Sequence, residues 1–265
     1  DALAACKNEN RVSWWLNQGT SWLERTICDT FKGAYAARAA DIDGDGDMDI
    51  VGAAFEDDLI SWWENLNGIG TSWTKHDILT GFDGAADVSC GDLDGDGDLD
   101  VAAVAYESGG LCWCENTNAD GTAWTVNTVA SGLYKPILVK VADLDQNARM
   151  DIVITDQLSG DLAYYSNHAG TGTVWVKRVI EYSTAINELH ISDIDSDGDN
   201  DVIGAPVFAY DYVSIWAGRN GSSIRYDYIE IPWPYNLMPH HPVGFDTADM
   251  DGDGDLDLIA NGSNS

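Results

Sequence analysis

Nine residues, Asp41-Ile42-Asp43-Gly44-Asp45-Gly46-Asp47-Met48-Asp49, set the frame for the whole chain, because the pattern comes back four more times. Its copies start at Asp41, Asp92, Asp143, Asp193 and Asp249, at spacings of 51, 51, 50 and 56 residues. A fixed period near 50 residues signals repeat architecture, in which each repeat is one supersecondary unit that buries its apolar faces only against its neighbours.

Five carboxylates in nine residues repel one another, so a compact fold needs a counter-charge there. Oxygen donors at alternate positions suit a hard divalent cation, and Ca²⁺ takes about 6–8 of them. By analogy with the EF-hand loop, positions 1, 3 and 5 give side-chain oxygens, position 7 a backbone carbonyl and position 9 the last carboxylate. The ligand sets are Asp41, Asp43, Asp45, Asp47 and Asp49 in the first copy; Asp92, Asp94, Asp96, Asp98 and Asp100 in the second; Asp193, Asp195, Asp197, Asp199 and Asp201 in the fourth; and Asp249, Asp251, Asp253, Asp255 and Asp257 in the fifth. Gly46 stands where the loop must turn sharply. The third copy departs: Asp143, Asp145 and Asp151 remain, but position 5 is Asn147, Ala148 replaces the turn glycine and Arg149 adds a positive charge. It is expected to be the weakest of four to five Ca²⁺ sites. The flanks read as strands and no Glu stands at position 12, which argues against an EF-hand.

The charge balance supports the same reading. Formal net charge is −32, and the five loops hold 23 of the 45 acidic residues. Five Ca²⁺ ions would return +10, leaving about −22. Such a surface repels nucleic acid and anionic membranes, and no run of 18 apolar residues is present to insert into a bilayer. Asp1 reads as a mature or trimmed start. Ca²⁺ sites of this kind, binding at about 10⁻⁴–10⁻³ M, suit an extracellular or cell-surface setting. The five cysteines, Cys6, Cys28, Cys90, Cys112 and Cys114, are an odd number without a compact framework and read mainly as small buried hydrophobes.

Between the loops each repeat spells four short strands. In residues 36–79 these are 36–40 before the acidic loop, 50–54 after it, 59–63, and 73–79 beyond a Gly/Asn turn. The third strand recurs at 12–15, 111–114, 162–165 and 213–216. The fourth starts at Trp22, Trp73, Trp124, Trp175 and Tyr226. Four-stranded units at this period predict an all-β chain folded as a β-propeller. The repeats run approximately 1–35, 36–86, 87–137, 138–188 and 189–242, with a terminal half-blade at 243–265, all read as one domain over 1–265. Residues 1–6 align with a second strand, so the terminal pieces share one blade and leave one spare copy of strand two. This gives five blades; the alternative is part of a six- or seven-bladed propeller. Adjacent Trp62 and Trp63 point to opposite faces of the blade, and both are expected in the core.

The segment Val88-Ser89-Cys90-Gly91-Asp92-Leu93-Asp94-Gly95-Asp96-Gly97-Asp98-Leu99-Asp100-Val101 resembles the FG-GAP/VCBS repeat of integrin alpha-subunit propellers and of fungal and bacterial lectin-like propellers. The Gly-Ala-Pro of that name survives once, at Gly204-Ala205-Pro206. The resemblance spans all five repeats and implies a Ca²⁺-binding β-propeller. Its members include adhesion modules, lectins and accessory domains, so fold alone does not fix the activity.

No catalytic constellation accompanies the loops. His76, His168, His190, His240 and His241 make no zinc pattern, and neither a Ser-His-Asp signature nor a phosphate loop is present. The expectation is a non-enzyme whose Ca²⁺ is structural. At about tenfold excess over its dissociation constant each ion would add roughly 1.4 kcal/mol by mass action. Strand alternation puts the acidic loops at one end of the blades and the blade-to-blade connections at the other. The connections carry Phe31, Tyr35, Phe82, Tyr134, Tyr182, Trp233 and Tyr235. Of these, Phe82, Tyr134, Tyr182, Trp233 and Tyr235 are the candidate ligand residues, for a carbohydrate or an extracellular protein. The alternative role is a structural subunit, or an accessory propeller domain of a larger secreted enzyme or surface assembly.

Overall fold

Strand succeeds strand with one 3-10 turn at Lys7–Glu9 in the computed structural model, which describes residues 1–182, 185–206, 212–218, 227–232 and 240–264. The first sheet holds β1 (Ala2–Cys6), β2 (Arg11–Asn17) and β3 (Trp22–Cys28). The second holds β4 (Ala34–Ala40), β5 (Asp49–Ala54), β6 (Leu59–Asn65) and β7 (Trp73–Thr80). In the third are β8 (Ala85–Gly91), β9 (Asp100–Ala105), β10 (Gly110–Asn116) and β11 (Trp124–Ala130). The fourth has β12 (Pro136–Ala142), β13 (Asp151–Asp156), β14 (Leu162–Asn167) and β15 (Trp175–Glu181). The fifth has β16 (Ile186–Ser192), β17 (Asp201–Pro206), β18 (Tyr212–Ala217) and β19 (Asp227–Pro232), and β20 (His240–Ala248) pairs with β21 (Asp257–Asn264). The fold is all-β, a five-bladed β-propeller, as the repeat count predicts, with four antiparallel four-stranded sheets and, at the two ends of the chain, a three-stranded and a two-stranded one among the described residues. Both second-strand copies at the termini are paired, β1 with β2 and β21 with β20.

The predicted strand starts at Trp22, Trp73, Trp124 and Trp175 coincide with β3, β7, β11 and β15, while Tyr226 lies outside the described residues. Burial follows position in the blade. The second strands β5, β9 and β13 are buried at every residue, whereas the outer strands β3, β11 and β15 have no buried residue. A strand covered on both faces needs small and β-branched residues throughout, and Asp100-Val101-Ala102-Ala103-Val104-Ala105 has that composition. One register shift recurs where strand three meets strand four, at Val12/Ser13, Ile60/Ser61, Leu111/Cys112 and Leu162/Ala163. A bulge there tightens the local twist of these four sheets at the same level, while β18 pairs with β19 without a shift.

The chain divides into two compact units. One comprises Asp1–Val139 with Thr171–Thr173, and the other Lys140–Gly170 with Val174–Ser265. In the first, Trp62 and Trp63 are both buried, on opposite faces of β6. Trp62 joins Ile42, Val88 and Val101 in one apolar cluster, and Trp63 joins Val12 and Phe31 in another. Neighbouring blades are latched by a repeated hydrogen bond. Trp14 Nε1 donates to the Gly70 carbonyl at 3.1 Å, Trp62 Nε1 to Gly121 at 3.1 Å and Trp113 Nε1 to Gly172 at 3.0 Å. Those turn glycines have φ of +64°, +66° and +62°, and a Cβ on each would meet the indole at 2.5, 2.5 and 2.2 Å. Both backbone and space therefore demand glycine.

In the second unit β14 is buried along its whole length, including Tyr164 and Tyr165. Ile203, Val213 and Ile215 form its core with Ile194, Phe245 and Leu258. Phe245 brings β20 against β16, with its ring 6.4 Å from His190.

Candidate metal centres

Each acidic loop is shaped by its own carboxylates. The position 1 carboxylate accepts from the position 6 N–H in all five copies: Asp41 from Gly46, Asp92 from Gly97, Asp143 from Ala148, Asp193 from Gly198 and Asp249 from Gly254, at 2.8–3.1 Å. In copies one, two, four and five the position 3 carboxylate accepts from position 5, and position 5 from position 7. This ladder of short side-chain-to-backbone bonds curls the loop without regular secondary structure. The position 6 glycines hold φ of +93° to +100° in four copies.

Position 9 closes the loop onto the blade. Asp49 Oδ2 accepts from the Ile42 N–H at 3.0 Å and Oδ1 from the Asn65 N–H at 2.8 Å. Asp100 binds Leu93 and Asn116 in the same way, Asp151 binds Leu144 and Asn167, and Asp201 binds Ile194 and Gly218. Asp1 Oδ1 likewise accepts from Asn17. Asp49, Asp100, Asp151 and Asp201 are buried, and Ile42 and Leu93 at position 2 are buried beside the first two. Neither the position 2 anchor nor the asparagine ending strand three was anticipated. The signal for the latter is present in the sequence: Asn65, Asn116 and Asn167 each stand 16 residues after a position 9 Asp.

The loops bring their carboxylates together. Oxygens of Asp41, Asp43 and Asp45 lie within 4.8 Å of one another, as do those of Asp92, Asp94 and Asp96; Asp143, Asp145 and Asp151; Asp193, Asp195 and Asp197; and Asp249, Asp251 and Asp257. The position 7 carboxylates Asp47, Asp98, Asp199 and Asp255 stand outside these groups, as do Asp49, Asp100, Asp201 and Asp253. Burial, then neighbouring charge, works against ionisation. Burial lifts Asp49 to about 6 despite two backbone donors, with the Asp43 and Asp45 charges adding to the rise. Asp100 and Asp151 are pushed up to about 7 in the same way, and Asp201 upward. Asp43, Asp94 and Asp195 are also raised, first by burial. Asp41 Oδ1 and Asp145 Oδ1 are buried with no hydrogen-bond partner. Convergent, partly desolvated oxygens with lone pairs to spare fit a hard cation.

The third loop keeps the curl without its glycines. Gln146 and Ala148 take φ of +53° and +61°, and the Arg149 guanidinium turns away to donate to the His168 carbonyl at 2.5 Å.

At the other end of the first unit, connections meet the strand two-to-three turns. Phe31 is buried edge-on against Trp63, 4.9 Å between centroids, and Phe82 is partly buried against the core and over Gly110. Tyr134 is 65% exposed. Tyr35, Phe55 and Tyr106 follow one another at 5.7 and 5.9 Å, with the Lys7 ammonium over the first two rings and that of Lys135 over the third. Lys7, Phe55 and Tyr106 were missed as a group, although each is the first residue after a second strand. In the second unit Tyr182 is 67% exposed. Trp233 and Tyr235 lie outside the described residues. All five cysteines are free, with Cys112 and Cys114 buried.

Comparison with known proteins bears on this arrangement. No curated protein matches the chain. Among solved structures it is similar to the β-propeller domain of Myceliophteria thermophila Cps50 (Swd1), at 12% identity and TM-score 0.52 over 84% of this chain and 67% of that one. It is similar to a putative 6-phosphogluconolactonase from Bacteroides uniformis, at 12% and 0.56 over 93% and 70%. It is also similar to BBS1N solved in complex with ARL6DN, at 12% and 0.58 over 97% and 74%. Likeness at this level is one of fold. The family model for the FG-GAP-like repeat matches residues 1–52, 41–103, 92–154 and 193–260, with segments starting at the first, second and fourth loops and none at the third. Those segments cover most of the sequence, and the chain belongs to the FG-GAP-like repeat family.

Proposed function

We propose that this chain is a non-enzymatic, extracellular recognition module whose blades are pinned by Ca²⁺ and whose ligand is a carbohydrate or a protein. The observation that carries the metal is the fivefold convergence of carboxylate oxygens, with buried Asp41 Oδ1 and Asp145 Oδ1 left without a donor. Side-chain oxygens of positions 1, 3, 5 and 9 and the position 7 carbonyl would hold the ion, and position 9 also fixes the loop to strand three. Bound Ca²⁺ supplies the counter-charge that lets these carboxylates remain ionised. Family membership supports the same assignment, and the modest affinity of such loops suits an extracellular setting.

The ligand face is the end opposite the loops. Exposed Tyr134 and the Tyr35–Phe55–Tyr106 row offer flat apolar surfaces beside Lys7 and Lys135, which suits stacking on sugar rings or docking a protein segment. A protein ligand draws support from BBS1N, a structure of similar fold solved in complex with ARL6DN. A glycan-array screen in Ca²⁺, repeated with chelator, tests the reading. Ca²⁺-dependent binding that Tyr134→Ala weakens at least fivefold is the expected result. Silence on the array with folded protein removes the carbohydrate arm. An unchanged affinity for every detected ligand in Tyr134→Ala and Tyr106→Ala moves the ligand off this face.

A further inference from the structure

The aromatic row opposite the loops is built by repetition and broken by one residue. Phe55 and Tyr106 are each the first residue after a second strand, and their N–H groups donate to the Gly33 and Gly84 carbonyls at 2.9 and 2.8 Å. A Cβ on Gly33 or Gly84 would lie 2.8 or 2.7 Å from the backbone nitrogen of Glu56 or Glu107, so the connections come this close only as glycine. In the first sheet the same place is taken by Lys7, which is exposed. Its turn is fixed through Asn10, whose carbonyl accepts from the Phe31 N–H at 2.9 Å and whose Oδ1 accepts from the Gly33 N–H at 2.8 Å. The Lys7 ammonium stands 4.7 and 4.6 Å from the Tyr35 and Phe55 centroids, over both rings at once, so the two present faces to one side. Glu9, Asp57 and Glu107, beside the row in sequence, are held by Arg11, Lys32 and Lys135. Lys7 is in no ion pair among the described residues.

Resting on the reading of this end as the ligand face, we propose that it takes an acidic oligosaccharide, with sugar rings stacked along Tyr35, Phe55 and Tyr106 and a ring carboxylate on Lys7. Successive centroids 5.7 and 5.9 Å apart suit the successive rings of an extended sugar chain. A peptide strand would draw on a free sheet edge, but β5 and β9, which lead into Phe55 and Tyr106, are paired on both sides. The flexible lysine stem lets the ammonium lift from the rings to meet an anion beside them. In a chain of 45 acids against 13 Lys plus Arg, a lysine free of acidic partners is a local exception to a field that repels anions. A carboxylate carried directly on the sugar ring lies beside that ring, within reach of an ammonium standing over the aromatic pair.

Calorimetric titration of the full chain in Ca²⁺ at low ionic strength tests this with three trisaccharides of one β-linked backbone: glucose, glucuronate and glucose 6-sulfate. The glucuronate form should bind about fivefold more tightly than the glucose form, the scale of one exposed ion pair at the upper end of its range. K7M should erase that preference and keep the affinity for the glucose form, and K7R should retain it. Y106A should weaken all three. Circular dichroism checks that each variant keeps its strand signal. Equal binding of the glucose and glucuronate forms, a preference kept in K7M, or tightest binding of the sulfated form overturns the proposal without touching the assignment of the face. Affinities unchanged in Y106A overturn both. No heat with any of the three in folded wild type removes the carbohydrate arm of the proposed function and this inference with it.

Discussion

The first and third acidic loops have the same curl and different chemistry. Asp41 and Asp143 each accept from the position 6 N–H, and Asp49 and Asp151 each tie position 2 to the asparagine ending strand three. Yet Gly44 and Gly46 at φ of +72° and +93° are matched by Gln146 and Ala148 at +53° and +61°. The loop's shape is therefore dictated by its first and last carboxylates and by the blade on either side. Glycine lowers the cost of that shape, and the third loop departs in its middle, at Asn147 and Arg149. The third loop keeps the corner with fewer carboxylates.

The largest effect expected from this difference comes from removing the ion. With four to five sites each worth roughly 1.4 kcal/mol, excess chelator should lower the melting temperature by about 10–20 °C. An unchanged transition in calorimetry would show that no loop is pinned by an ion.

Next is a contrast between two glycines. Gly121→Ala places a Cβ 2.5 Å from Trp62 at a φ of +66° and should destabilise by about 2–4 kcal/mol with or without Ca²⁺. Gly46→Ala finds nothing within 4 Å of its Cβ, and should cost only about 1 kcal/mol. Chemical denaturation of both variants would break the comparison if the loop glycine proved the costlier.

The pH dependence sharpens it further. Asp49, near 6, and Asp100 and Asp151, near 7, bind protons more readily folded than unfolded. Their contribution is fully present below the ordinary carboxylate range near pH 4 and lost as pH rises through about 6–7. Stripped protein should thus lose stability between pH 4 and 7. Ca²⁺, which binds the ionised form, should bind more tightly over the same rise. Melting curves that gain stability across that range without Ca²⁺ would contradict the assignment. The smallest effect is a conversion: N147D/A148G should relieve one positive φ, add about 0.5–1 kcal/mol without metal and tighten the third site.

The blade pattern and the loops were legible because they are local. Trp22, Trp73, Trp124 and Trp175 begin strands because an alternating run follows a Gly/Asn turn, and both signals sit within ten residues. What could not be read is set between repeats. The Trp62 indole finds the Gly121 carbonyl 59 residues away, and Phe31 turns edge-on into Trp63 while Tyr134 stays in solvent. Nothing in a connection's composition separates a ring that plugs the core from one that faces out. Position 9 was read as a metal ligand alike in every copy. Asp49 also accepts from backbone donors with both oxygens, a second role visible only once Asn65 is brought alongside.

The most direct test of the metal assignment is an anomalous difference map from crystals grown in Ca²⁺. The account predicts strong peaks among Asp41, Asp43 and Asp45, among Asp92, Asp94 and Asp96, and at the fourth and fifth loops, with the weakest beside Asp143. A well-phased map with no peak at any of the five clusters would contradict it.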